Sequence, residues 1–300
     1  MSAFEPGWLQ LREPFDLAAR AEALQGFDLP AVAAGLRRGA EPLGVLDLGA
    51  GTGANLRALA PSLEGRQRWT LVDQDARLLA EVPACMADWC RANQWKFETD
   101  GDRLRVAGPA WEVEVQRLQL DLDVSLDRLP WSRIRMVTAS ALLDLVSARW
   151  FDALSAHAAD AGAALLFGLN VDGRLEWSPQ DSADGAVSGL FAWHQLRDKG
   201  FGPALGIDAA EYAGRRLRER GFRTSSARSD WWLDSTGGGT GRAMYQAMVD
   251  GFCAAAIEHQ PGTQDLVRDW QARRLALASV ASLRVGHVDL LALPPQARGG

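Results

Sequence analysis

Short apolar runs alternate with segments of helical periodicity along most of the chain. Runs of this kind, bounded by polar or turn-forming residues, are typical of buried strands. They predict a strand that ends at Asp121 and further strands over residues 44–48, 69–72, 134–138, 163–169, 222–229 and 287–293. Strands that alternate with helices indicate βαβ units. The pattern therefore predicts an α/β fold with a doubly wound, mostly parallel, seven-stranded sheet.

Four stretches add to this pattern. Two helical segments precede the first strand, and two more precede the last strand, over about 241–259 and 263–283. Turn residues at 100–101 and 108–109 predict a β-hairpin insertion at about 95–110, before the third strand. The apolar phase of that third strand changes near Gln116, which indicates a bulge. Residues 170–206 show no clear period and are predicted to be a long irregular loop, a kind of segment that is usually functional or disordered.

A glycine-rich turn follows the first predicted strand. The strand carries Asp47 and is followed by Gly49, Gly51 and Gly53 at alternate positions, after which a helix begins. Glycines leave the backbone N–H groups of such a turn open to a ligand, and the start of a helix favours negative charge there. The turn is therefore the first candidate for a binding site.

This pattern, Asp-x-Gly-x-Gly-x-Gly, resembles motif I of the class I S-adenosylmethionine-dependent methyltransferases. The resemblance implies a Rossmann-like domain over 43–300, with insertions at about 95–110 and 235–284 and an antiparallel last strand. It also implies an N-terminal helical lid over 1–42. The looser dinucleotide fingerprint is met as well, by Gly49, Gly51 and Ala54, so an NAD(P)-dependent oxidoreductase is an alternative. A catalytically silent S-adenosylmethionine-binding accessory protein is a second alternative.

Bulk composition narrows the classes of partner. The 300 residues are 47% hydrophobic and 23% charged, as in ordinary globular proteins. A net charge of −6 argues against nucleic acid as a partner, because nucleic-acid-binding proteins usually present a basic face. No apolar run reaches membrane-spanning length, and the N-terminus does not have the pattern of a signal peptide. The three cysteines lack metal-ligand spacing, which suits a reducing compartment. The sequence therefore predicts a cytoplasmic protein and gives no prediction of its oligomeric state.

The resemblance assigns cofactor-binding roles by position. Asp73 ends the second strand, where a carboxylate can accept hydrogen bonds from both ribose hydroxyls, and Gln74 would neighbour the adenine or ribose. Asp121 would accept a hydrogen bond from the adenine amino group, and Asp47 would reach the methionine ammonium. The complete set of predicted S-adenosylmethionine contacts is Asp47, Gly49, Ala50, Gly51, Gly53, Asp73, Gln74, Asp121, Leu122 and Ser140.

The acceptor is predicted to be a small molecule, methylated without a metal. The sequence after the fourth strand, Thr138-Ala139-Ser140-Ala141, lacks the motifs of amine, base and metal-dependent enzymes of the family. His194 is the candidate general base, because it is the histidine that falls in the predicted loop. Asp198 and Lys199 would bind polar groups of the acceptor. Arg12, and with it Arg20, could present a guanidinium group to an anionic acceptor.

Overall fold

Ten strands form one sheet in the computed structural model, which describes residues 6–123 and 126–295. Their bounds are β1 Leu43–Leu48, β2 Gly65–Asp73, β3 Lys96–Asp100, β4 Arg103–Ala107, β5 Trp111–Gln119, β6 Met136–Ser140, β7 Ala164–Ser178, β8 Arg223–Arg228, β9 Trp231–Asp234 and β10 Ser282–Leu293. The spatial order is β3-β4-β5-β2-β1-β6-β7-β10-β8, with β9 beside β10. The five central strands, from β5 to β7, are parallel, and β10 is antiparallel to β7 and β8.

The predicted count of seven strands is too low. The hairpin strands β3 and β4 extend the sheet by pairing onto β5, and β9 extends it by pairing onto β10. The predicted bulge near Gln116 is also wrong, since β5 keeps an unbroken register with β2 from Trp111 to Gln119. Val113 and Val115 pack into the apolar cluster on one face of the sheet and Leu118 packs against the cluster on the other face, so the change of apolar phase does not require a bulge.

Helices cover both faces of the sheet. They are α1 Pro6–Gln25, α2 Leu29–Leu36, α3 Ala54–Leu63, α4 Ala76–Asn93, α5 Ala148–Ala161, α6 Asp184–Gln195, α7 Ala209–Glu219, α8 Gly239–His259 and α9 Gln264–Ala276. One apolar cluster joins α5 and α7 to one face, and a second joins α2, α3 and α4 to the other. A third cluster joins α1, α6, α8 and α9 to the far halves of β7 and β10. Within the described part of the chain, no helix is both long and apolar enough to cross a bilayer.

The segment predicted as an irregular loop over 170–206 is mostly regular. Strand β7 continues to Ser178 because it pairs with the first half of β10. The signal in the sequence is the alternation of Leu175 and Trp177 with charged residues, a strand period. Next, α6 buries Val187 and places Phe191 against Phe252 of α8, with ring centroids 4.0 Å apart. Residues 179–183 and the part from Leu196 onwards are loops with short turns.

Candidate functional site

A crevice of about 700 Å³ lies outside the carboxyl ends of the central strands. The chain leaves β1 towards β2 and β5 on one side and returns to β6 and β7 on the other, so the strand order reverses at β1. Ligands of doubly wound sheets bind at this switch point. The lining comes from the turns after β1, β2, β5 and β6, from α1, and from residues 200–201. It consists of Leu9, Arg12, Gly49, Gly51, Asp73, Gln74, Asp75, Ala76, Arg77, Leu78, Gln119, Leu120, Asp121, Leu122, Ser140, Ala141, Leu142, Leu145, Gly200 and Phe201.

The glycine turn is held by its own hydrogen bonds. Its three glycines all have positive φ angles, of 63° at Gly49, 54° at Gly51 and 81° at Gly53. The N–H groups of Ala50, Gly51 and Gly53 donate to Val72 O, Asp73 Oδ2 and Ala50 O, at 3.0, 2.8 and 2.8 Å. Three of the amides that were predicted to cradle a ligand therefore already have partners. The turn offers a ligand close approach to a rigid backbone rather than a set of open N–H donors.

Gly53 does not line the crevice. It is the N-cap of α3, and a Cβ atom there would lie 2.7 Å from the Cε of Met86 and 3.4 Å from the Cδ1 of Leu71. The side towards the core leaves no room for a side chain. Gly53 therefore allows α3 to begin directly against the sheet, whereas Gly49 and Gly51 border the crevice.

Asp73 lies on the crevice wall and also fixes the turn. Its Oδ2 accepts the N–H of Gly51, and its Oδ1 accepts the N–H of Asp75 at 2.9 Å. Burial raises its pKa, partly offset by these two backbone hydrogen bonds. Each carboxylate oxygen has a second lone pair that can accept a ligand hydroxyl. The neighbouring Gln74 lies on the same wall.

The turn after β5, the strand next to β2, forms a further part of the wall. Asp121 lies two residues beyond the end of the strand and accepts the N–H of Asp123 at 3.0 Å. Leu120 and Leu122 are both buried beside it. Ser140 ends β6, and the next residue, Ala141, has a positive φ of 51°. Both Asp121 and Leu122 of the predicted set thus border the same crevice as Asp73.

A second, smaller cavity of about 80 Å³ lies between α1 and the glycine turn. It shares five lining residues with the larger crevice, so the two are continuous: Leu9, Arg12, Gly49, Gly51 and Ser140. Its own lining includes Arg20, Ala50 and Asn55. Helix α1 is fixed over it by the ion pair between Glu13 Oε1 and Arg57 Nη2, at 2.6 Å.

Arg20 is a buried cation whose hydrogen-bonding capacity is only partly used. It is 2% exposed and donates through Nη1 to Asn55 Oδ1, and its Nε lies 3.5 Å from Asp289 Oδ2. Its Nε and Nη2 have no hydrogen-bond partner within the described residues. A buried donor without a partner is costly, which makes Arg20 a candidate to bind an anionic group in the smaller cavity.

Asp47 lies behind this cavity, not in its wall. It is fully buried, and its Oδ1 accepts the amide of Asn55 at 2.6 Å. Asn55 also donates to Thr138 Oγ1 at 3.0 Å. Burial raises the pKa of Asp47 to about 7. Asp47 therefore orients Asn55, which in turn holds Arg20. Its predicted contact with a ligand ammonium stays a prediction.

The residues predicted for catalysis are not in the lining of either cavity. His194 lies in the last turn of α6, with Nε2 3.3 Å from Glu258 Oε2 on α8, and burial lowers its pKa. Asp198 accepts the N–H groups of Gly200 and Gly202 at 2.7 and 3.0 Å, which shapes the loop that carries Phe201. Burial lowers the pKa of Lys199. Their catalytic and substrate roles stay predictions.

Several lining residues were not predicted from the sequence. Leu9, Leu142, Leu145 and Phe201 form an apolar part of the crevice wall, and they come from three separate segments. No motif marks them, because apolar residues at these positions look like ordinary core. Within residues 6–123 and 126–295, no group of three or more histidine, cysteine or carboxylate side chains could hold a metal ion.

No protein-family model matches the chain, and no curated protein matches it. It is similar to a cyclopropane-fatty-acyl-phospholipid synthase-like protein from Lactobacillus casei, at 15% identity and a TM-score of 0.49, over 95% of this chain and 91% of that chain. It is also similar to a SAM-dependent methyltransferase from Leishmania major, at 15% identity and a TM-score of 0.41, over 74% of this chain and 68% of that chain. A third similar structure is a SAM-dependent methyltransferase from Aquifex aeolicus, at 17% identity and a TM-score of 0.38, over 74% of this chain and 91% of that chain. Similarity at this level assigns no activity, which has to come from the geometry of the crevice.

Proposed function

We propose that this chain binds S-adenosylmethionine and transfers its methyl group to a small-molecule acceptor, as class I methyltransferases do. One observation carries the proposal. Two continuous cavities of unequal size meet at the switch point of the sheet, one bordered by Asp73 and Asp121 and the other by the partly unpartnered Arg20. A nucleoside joined to an amino acid through a sulfonium has this two-part shape.

The larger cavity suits the nucleoside. Asp73 has lone pairs left for the two ribose hydroxyls, and Gln74 lies next to it on the same wall. Asp121 can accept a hydrogen bond from an exocyclic amine, and Leu120 and Leu122 provide apolar surface for a flat base. These roles are the ones that the resemblance implied for Asp73, Gln74, Asp121 and Leu122.

The smaller cavity suits the amino-acid end. The guanidinium of Arg20, whose Nη2 has no hydrogen-bond partner within the described residues, would bind the carboxylate, since a buried guanidinium gains most from a charge-assisted hydrogen bond. Asn55 and Asp289 hold Arg20 from the other side. Gly49, Ala50 and Gly51 allow the ligand to lie directly on the backbone of the turn.

The protein would contribute positioning and exclusion of water. When bound, the sulfonium supplies an electrophilic methyl group. Helix α1 would act as the predicted lid, because Leu9 and Arg12 border both cavities. Leu142, Leu145 and Phe201 complete an apolar enclosure around the place where the acceptor would enter. Alignment of two reactants in a dry cavity is the main source of rate acceleration in a direct displacement.

A dinucleotide fits the same turn less well. The N–H of Gly51 already donates to Asp73, so that amide is not open to a phosphate oxygen. The cavity over the turn, at about 80 Å³, is far smaller than a pyrophosphate joined to a second nucleoside. Both features support the sulfonium donor over NAD(P).

Thermal unfolding with S-adenosylhomocysteine and with NAD tests the proposal. A ligand at a hundredfold excess over its dissociation constant stabilises the native state by about 2.7 kcal/mol. We expect S-adenosylhomocysteine to raise the melting temperature by several degrees and NAD to leave it unchanged. A shift with NAD alone would overturn the proposal. A shift with S-adenosylhomocysteine and no turnover with any acceptor class would favour a catalytically silent binding protein.

A further inference from the structure

We propose that the methyl acceptor is an apolar small molecule that enters as a carboxylate, that Arg12 binds this carboxylate, and that the product is a methyl ester. This inference rests on the proposed function and names the substrate class of the same site. It is carried by the position of Arg12, by the apolar surface around it, and by the ionisable side chains that border the two cavities.

Arg12 lies where the two cavities meet. It borders both of them, together with Leu9, Gly49, Gly51 and Ser140. If the larger cavity holds the nucleoside and the smaller one the amino-acid end, the sulfonium that joins them lies at this junction. A guanidinium and a sulfonium would then face the same small volume. An anionic acceptor placed there is attracted by both cations.

The Arg12 side chain is fixed on one edge and open on the other. Its Nε and Nη2 donate to the two oxygens of Asp16, at 2.9 and 3.2 Å, and its guanidinium lies 5.0 Å from the centre of the Trp231 ring. Trp231 Nε1 also donates to Asp16, at 3.0 Å. Within the described residues none of these hydrogen bonds uses Nη1. The arrangement holds the guanidinium still and leaves one donor group for a ligand.

Apolar side chains border the larger cavity beside this junction. Leu142, Leu145 and Phe201 border the larger cavity, and Leu9 borders both. Phe201 is held against Trp150, with ring centroids 5.3 Å apart. A wall of this kind favours a hydrocarbon or aromatic body and keeps water from the acceptor oxygen. The acceptor should therefore be an acid with an apolar body.

The ionisable side chains of the two cavities do not supply an obvious general base to the acceptor. Among the described lining residues of the larger cavity, the carboxylates are Asp73, Asp75 and Asp121, which follow β2 and β5 on the nucleoside side. Asp16, in the smaller cavity, already accepts hydrogen bonds from Arg12 and Trp231, and Glu13 accepts two from Arg57. No histidine, cysteine, lysine or tyrosine is in either described lining.

A carboxylate needs no base. Methyl transfer to its oxygen forms one C–O bond and breaks one C–S bond, and the electron pair of the broken bond goes to sulfur. The anion and the sulfonium become a neutral ester and a neutral thioether, and no proton is removed. Such a displacement between opposite charges is faster in an apolar cavity than in water, because the anion is less solvated there.

Asp144 is the candidate general base if the acceptor is an alcohol, phenol or amine and not a carboxylate. It lies in the turn Leu143–Leu145, between two residues of the crevice wall, and its Oδ1 has no hydrogen-bond partner within the described residues. Burial raises its pKa to about 6. If a movement of this turn brought Asp144 to the acceptor, it would act as a base for an alcohol, phenol or amine. The turnover rate would then rise with pH through this value.

The first experiment uses matched acceptors. The purified chain is saturated with S-adenosylmethionine and offered phenylacetate, octanoate and benzoate beside the alcohol and the amine with the same apolar body. We expect a methyl ester from at least one acid, seen by mass spectrometry as a base-labile methyl group, at a rate that is flat between about pH 6 and pH 9. Methylation of an alcohol or amine but of no acid, or a rate that depends on Asp144 in an Asp144→Asn variant, would overturn the inference and leave the proposed function intact.

The second experiment measures binding without turnover. Titration of the acids into the complex with S-adenosylhomocysteine should give a dissociation constant that rises tenfold or more in Arg12→Gln and less in Arg12→Lys, which keeps the charge. S-adenosylhomocysteine is kept at a saturating concentration for each variant, and circular dichroism spectra show that the variants are folded. Arg91→Gln, at an exposed position on α4, is the matched control. Equal affinity of the acids for Arg12→Gln and the unmodified chain would overturn the inference. Failure of S-adenosylhomocysteine to bind the unmodified chain would instead overturn the proposed function.

Discussion

At the scale of single residues, the site depends on a few buried polar groups whose partners come from distant parts of the sequence. Arg20 of α1, Asn55 of α3 and Asp289 of β10 meet beneath the smaller cavity. Gly168 of β7 makes this possible, since a Cβ atom there would lie 2.8 Å from the Arg20 guanidinium. A buried charge in such a network is stable only with its partners in place. The network therefore positions a cation at the cavity without exposing it to water.

We expect Arg20→Met to weaken binding of S-adenosylhomocysteine by about 10- to 100-fold, because a hydrogen bond to a charged group contributes about 1.5–3 kcal/mol. Isothermal titration calorimetry measures the change. The control ligand is 5′-methylthioadenosine, which lacks the amino-acid end and should bind the variant and the unmodified chain equally. Equal loss for both ligands would mean that Arg20 supports the fold and does not bind the carboxylate.

At the scale of secondary-structure elements, the unit formed by β1, the glycine turn and α3 is the most constrained part of the fold. All six residues of β1 are buried, since both faces of the strand are covered by helices. The turn that follows places α3 against the sheet with no space for a Cβ atom at Gly53. The geometry of the glycine turn is thus a consequence of how closely this helix packs.

Gly53→Ala should lower the free energy of unfolding by about 1–3 kcal/mol, since alanine is strained at a φ of 81° and its Cβ would press on Met86. Urea unfolding followed by circular dichroism checks this. Gly251→Ala is the matched control, because Gly251 lies inside α8 with nothing within 4 Å of an added Cβ. That variant should gain about 0.5–1 kcal/mol. An unchanged free energy of unfolding in Gly53→Ala would show that the turn can relax to accept the Cβ atom.

At the scale of the whole molecule, α1 and the carboxyl edge of the sheet are joined by buried charges, so global stability depends on their ionisation. Asp47 lies in this zone and is fully buried, and burial raises its pKa. Asp144 lies in the adjoining turn, and burial raises its pKa as well. The unfolded chain binds fewer protons than the native state at pH values between the ordinary aspartate pKa and these raised values. The native state is accordingly destabilised as pH rises through that range.

Asp47 should dominate this effect. Its pKa is about 7 in the folded chain, against 3.8 for the free side chain, so its contribution is complete below about pH 4 and is lost as pH rises to 7. Asp47→Asn keeps the acceptor for Asn55 and does not titrate. The free energy of unfolding of Asp47→Asn minus that of the unmodified chain should therefore be about 1–3 kcal/mol larger at pH 8 than at pH 5. Measuring this difference between chains removes the opposite contribution of buried His287, whose pKa is lowered to about 4. An identical pH dependence of the free energy of unfolding in both chains would contradict the raised pKa of Asp47.

The sequence by itself determined the order of the central strands β1, β2, β5, β6 and β7 with the helices between them, the glycine turn after β1 and the positions of Asp73 and Asp121. These depend on local apolar periodicity and on turn residues, which act within a few positions of the chain. It did not determine that β7 runs on to Ser178, because that half of the strand is fixed by pairing with β10, more than a hundred residues away.

Only the tertiary structure decided which polar residues meet at the crevice. His194 contacts Glu258 because α6 packs on α8, while Arg12 and Arg20, the predicted candidates for an anionic acceptor, border the cavities. Burial and charge pairing are properties of contacts between distant segments, so a single sequence carries no local signal for them. The glycine turn was therefore predictable from the sequence, and the other walls of the crevice were not.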